Sequence, residues 1–133
     1  MTEPFEPRPL NPSERALIDL LLSADFPGCD ELRSQVDNVE VVGTCKCGCG
    51  TVDLRVKEPA VRSRSGSPVP AEARCDAPPI DVLLFVDHGL LSLLELVFCD
   101  DRKPRAFPKP NELKLRVRPS RKPQIQGPPT SSN

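Results

Sequence analysis

In the segment "NPSERALIDLLLSA", Ala16/Leu17, Leu20/Leu21 and Ala24 recur at helical spacing and form one apolar stripe. Asn11 can cap this segment, Pro12 suits the first helical position, and Glu14 stands three residues after the cap. A helix to about residue 24 is therefore predicted, and "DFPGCD" ends it. A shorter helix follows over about 28–35, with Cys29, Leu32 and Val36 on one side. After Asp37-Asn38 the apolar period drops to two. Val39, Val41 and Gly43 alternate with Glu40, Val42 and Thr44, and beyond a Gly-rich turn Val52, Leu54 and Val56 alternate with Asp53, Arg55 and Lys57. This pattern predicts a hairpin with one wet face.

Residues 58–68, "EPAVRSRSGSP", are loop-forming. "VPAEARCD" reads as a short edge strand, because Pro70 cannot sit in a sheet centre. Ile80–Val86 is apolar on both faces apart from Asp81, and Leu90–Phe98 apart from Ser92 and Glu95. These two segments, joined by a three-residue "DHG" turn, are expected at the sheet centre with the helices covering one face. The class is α+β: two N-terminal helices on an antiparallel meander of four to five strands. The expected organisation is an extended arm over 1–10, one domain over 11–108, and a basic, proline-rich, disordered tail over 109–133.

With no Trp or Tyr and five Phe, the core has to be aliphatic. The near-neutral total conceals a division of charge. Nine Lys/Arg face eighteen Asp/Glu through residue 101, whereas nine Lys/Arg meet only Glu112 beyond it. An acidic body argues against specific nucleic-acid binding and favours a basic partner. The N-terminus lacks the basic and apolar regions of a secretion signal, and no apolar run is long enough to span a bilayer. A cytoplasmic protein with reduced thiols and no membrane contact is expected, its oligomeric state open.

"TCKCGCGT" places Cys45, Cys47 and Cys49 two apart around Gly48 and Gly50. Thiolates curled around one point suit Zn²⁺ or Cu(I), but a structural zinc site needs four ligands. The fourth would come from Cys29, Cys75, Cys99 or His88. Reduced structural cysteines are the competing reading, and it leads. Cys29 near a helix start resembles a redox thiol, opposed by neighbouring Asp30 and Glu31. His88, the single histidine, fits a turn better than a catalytic base. Glu95 is a perturbed acid if buried and a paired surface charge if exposed, and the second is favoured. "RSRSGS" and the basic tail support no more than nonspecific phosphate contact. No catalytic residues, and no cofactor other than a zinc ion at the cysteine cluster, are indicated.

Three stretches carry a resemblance: "DFPGCDELRSQ", "VVGTCKCGCGTVDL" and "VLLFVDHGLLSLLELVFCDDRKPRAFP". Over about residues 12–108 the chain resembles a family of small uncharacterised proteins of high-GC Gram-positive bacteria, with a C-x-C-x-C hairpin and a G-L-x-x-L-E strand. The narrower pattern of Gly89, Leu90, Leu94, Glu95 and Phe107-Pro108 is similar to one in immunity-type α+β proteins of bacterial toxin loci. That resemblance implies a non-enzymatic module that binds a protein partner. The alternative is a metal-binding or redox-sensing module at Cys45, Cys47 and Cys49.

Overall fold

The computed structural model describes residues 5–46, 49–100 and 107–117. Helix α1 spans Pro12–Leu21 and α2 spans Cys29–Gln35, followed by a 3-10 turn at Val36–Asn38. The strands are β1 (Arg8–Pro9), β2 (Val39–Thr44), β3 (Val52–Val56), β4 (Ala71–Asp76), β5 (Pro79–Asp87), β6 (Leu90–Phe98) and β7 (Lys114–Val117). They form one seven-stranded antiparallel sheet in the order β1-β2-β3-β6-β5-β4-β7. The α+β class expected from the sequence is the observed one.

Helix α1 starts as its capping residues require. The Asn11 side chain accepts from the Glu14 amide at 2.7 Å, and the Glu14 carboxylate accepts from the Asn11 amide at 2.9 Å. Leu17, Ile18 and Leu21 turn inward, while Leu20 is only half-buried. Gly28 precedes α2 with φ +88°, a conformation glycine takes without Cβ strain. Cys29, Leu32 and Val36 are buried beneath α2 as the spacing predicts.

One face of the sheet meets the helices. Val39, Val41, Val52, Leu54, Val56, Ala71, Ala73, Ile80, Val82, Leu84, Leu91, Leu94 and Leu96 join the α1 and α2 side chains in a single core. Strict alternation of inward and outward positions in β3 and β5 produces this.

Several expectations change. The chain is not a simple meander, because β3 pairs with β6 and not with β4. β4 is no edge strand: β5 pairs along one side and β7 along the other, with Pro70 just before the first paired residue. The sheet therefore does not stop at Pro108, as Lys114–Val117 of the expected tail adds a strand; residues 118–133 lie outside the described residues. The N-terminal arm likewise contributes Arg8 and Pro9 to the sheet. The β5–β6 turn has two residues, His88 and Gly89, both with positive φ (53° and 78°), since Asp87 already pairs with Leu90.

Candidate functional site: the open face of the sheet

The cysteine turn is the first place to look for chemistry. It joins β2 to β3, with the Cys45 amide donating to the Thr51 carbonyl at 3.0 Å. Cys49 Sγ lies 3.2 Å from Thr51 Oγ1. Thr51 in turn accepts from the Leu96 amide at 2.9 Å, tying the turn to β6. At Gly50, with φ +99°, an added Cβ would stand 3.2 Å from the Phe107 ring and 3.3 Å from Leu96, so Phe107 closes the base of the turn. Cys47 lies outside the described residues.

The candidate fourth ligands are dispersed. His88 sits at the opposite end of β6, about 20 Å away or more at the rise of a strand. Cys75 is buried on β4, three strand spacings or about 14 Å from β3. Cys29 is buried under α2, its Sγ 3.8 Å from Asp25 Oδ1. Cys99 begins one strand from β3, but its Sγ points toward β5, 3.7 Å from Asp81 Oδ2 and 4.0 Å from an Arg74 nitrogen. Among the described residues, no three His, Cys, Asp or Glu side chains are grouped to hold a metal ion.

The helical layer carries shallow clefts. One of 380 Å³ is lined by Asp25, Phe26, Cys29, Glu31 and Arg64, among others. Its Glu31 Oε1 is buried with no hydrogen-bond partner, and Arg64 stands 3.5 Å from the other oxygen.

The opposite face of the sheet is organised differently. Leu83, Phe85, Leu93 and Val97 point away from the helices and belong neither to the core nor to the side chains packed on it. The register sets Phe85 beside Leu93 and Leu83 beside Glu95, on the two central strands β5 and β6. Val97 is 38% exposed, and Leu83, Phe85, Leu93 and Glu95 are half-buried. A short apolar strip therefore runs along the middle of the face.

Charge pairs flank that strip. Arg74 holds Asp81 at 2.9 Å and Asp76 at 3.0 Å, Arg116 stands 3.7 Å from Glu72, and Arg55 pairs with Glu40. The hydrogen bond to Asp81, followed by that to Asp76, raises the Arg74 pKa above its already high ordinary value, so this group is a permanent cation. The cross-strand pairs among these lie on β2 with β3 and on β7, β4 and the Asp81 end of β5, beside the row of Leu83, Phe85 and Leu93.

Glu95 is neither fully buried nor paired among the described residues. It is half-buried on the open face, yet no hydrogen bond or ion pair reaches its carboxylate from the described residues. The sequence flagged Glu95 as an interruption of an apolar strand. What was missed is the row it belongs to, because Leu83, Phe85 and Leu93 read as core until their direction relative to the helices is known.

No protein-family model matches the chain, and neither a curated protein nor a solved structure matches it. Among the described residues no helix is long and apolar enough to cross a membrane.

Proposed function

We propose that this chain is a non-enzymatic protein-interaction module whose open sheet face binds a basic protein, in the manner of an immunity protein that covers its toxin. One observation carries the reading: the sheet packs one face against the helices and sets an apolar strip on the central strands of the other. Apolar side chains collected in one row on the outer face of a sheet mark an interaction surface more often than scattered ones do. The acidic body adds electrostatic steering, which raises the rate of encounter with a basic partner and falls with salt.

Site-specific photo-crosslinking in the source cells tests this. A photoreactive residue at Val97, on the strip, should capture a discrete protein that the same residue at Asp19, on the exposed side of α1, does not. Leu83→Asp should abolish the adduct. Identical adducts from both positions would refute the reading.

A second reading, a metal-binding or redox-sensing module, is supported by Cys45 and Cys49 sharing one hairpin turn. Elemental analysis of protein purified without chelator tests it. One zinc per chain, lost in Cys45→Ser, is its required result.

A further inference from the structure

The open face also specifies which chemical group its partner must bring, an inference that rests on the interaction reading above. We infer that the partner inserts an arginine side chain, framed by apolar groups, onto Glu95.

Glu95 stands on β6, the middle strand of the seven. Its cross-strand neighbour on β5 is Leu83, and its same-face neighbours along β6 are Leu93 and Val97. Phe85, opposite Leu93, completes the apolar frame. On the other flank, β3 offers no donor. The Thr51 hydroxyl is engaged with the Leu96 backbone, and the Asp53 carboxylate lies over Gly43, where an added Cβ would come within 2.7 Å of Asp53 Oδ2. The arginines of the face are committed elsewhere: Arg74 to Asp76 and Asp81, Arg116 to Glu72, Arg55 to Glu40. Among the described carboxylates around the strip, Glu95 is thus the one set within the apolar row with no hydrogen bond or ion pair from the described residues.

That arrangement discriminates between partners. A surface that covers the strip strips water from Glu95, and an ionised carboxylate resists this unless it gains a cation and hydrogen bonds. A purely apolar partner is therefore rejected, and an acidic one is rejected more strongly. Guanidinium fits better than ammonium here. It presents two parallel N–H donors to one carboxylate and is the more weakly hydrated cation, so it loses less when the apolar frame closes around it.

The test is a titration of the full chain, followed through its methyl signals, with four probes sharing one apolar tail: hexylguanidinium, hexylammonium, hexanol and hexanoate. Saturable shifts are expected at Leu83, Leu93 and Val97. Affinity should fall in the order guanidinium, ammonium, alcohol, carboxylate, with roughly threefold to tenfold between guanidinium and alcohol. Glu95→Gln should bring the two cations to the level of the alcohol, whereas Asp19→Asn on α1 should leave the order intact. Equal affinity for hexylguanidinium and hexanol, or an order that survives Glu95→Gln, would overturn the arginine inference and leave the interaction face standing. Absence of any shift at these methyls would overturn both.

Discussion

The guanidinium of Arg8 closes on both carboxylate oxygens of Glu14, at 2.9 Å each, across the junction between β1 and α1. Glu14 is 4% exposed and serves two purposes, since the same carboxylate completes the helix cap through the Asn11 amide. The hydrogen bonds to Glu14 raise the pKa of Arg8 further, so the pair persists over the whole accessible pH range in which Glu14 is ionised. The N-terminal segment is thereby fastened to both the sheet and the first helix.

Arg8→Ala should lower stability by about 1–3 kcal/mol, because it leaves a buried carboxylate with the Asn11 amide as its remaining partner. Arg8→Lys should recover only part of the loss, since one ammonium cannot reproduce the two-oxygen grip. Urea midpoints measure this, and amide exchange at Leu10 and Asn11 should quicken in the Ala variant. Unchanged midpoints would show the pair to be decorative.

Gln35 makes three hydrogen bonds while almost fully buried: to the Val61 and Gly89 carbonyls at 2.8 and 2.9 Å, and from the Leu91 amide at 3.0 Å. A Gln35→Glu variant would set a carboxylate against two carbonyls. Burial and those acceptors raise its pKa in the folded state above the unfolded value of about 4.3. The variant should therefore be most nearly wild-type below that pH and lose stability progressively as pH rises through the folded pKa. Gln35→Leu, with no titrating group, should be destabilised by about 3 kcal/mol at every pH. Thermal unfolding of the three proteins between pH 4 and 7 checks the sign.

The legibility of these features in the sequence differs, for physical reasons. Helix α1 could be read because its signals are local: a cap, a proline and a carboxylate within four residues, then an apolar stripe. The β2–β3 hairpin could be read from its alternation. Arg8 as partner of Glu14, six positions away, and Gln35 as partner of Gly89, 54 positions away, could not, since a polar residue does not advertise which partner it meets once the chain folds back on itself. The strip on the open face stayed hidden because β5 and β6 are apolar on both sides, so their sequence has no phase to say which row meets the helices. The joining of β7 to β4 was masked by the basic, proline-rich composition around it.

Gly28→Ala should cost about 2 kcal/mol or more. The backbone there has φ +88°, and a Cβ would collide with the Ser63 hydroxyl and the Ser65 backbone. Ser63, which donates to the Gly28 carbonyl at 2.8 Å, starts a run in which the Ser65, Ser67 and Val69 amides each bond the serine hydroxyl two residues earlier. Loss of protection should thus be concentrated in residues 63–69. A uniform effect across the domain would contradict this account.

Thr51→Val should destabilise the fold by about 1–2 kcal/mol by leaving the Leu96 amide without its acceptor, and Thr51→Ser should restore most of it. Chemical denaturation distinguishes the two. Equal loss in both variants would assign the effect to the methyl group of Thr51 and not to its hydroxyl.

The β3–β6 contact has a kinetic consequence. Only Val52↔Leu94 and Asp53↔Leu93 are paired there, supplemented by Thr51 reaching a residue 45 positions away. On either side lie ladders formed between sequence neighbours, β2 with β3 and β4 through β6. Loop-closure entropy delays distant junctions, this one and that between β4 and β7, until the local ladders exist, so the seam assembles after the two units it joins. The open face spans that seam, with Asp53 on one unit and Glu95 on the other. A protein that docks across both would hold the two halves of the folding problem together, and its binding would register as slower unfolding of the whole chain.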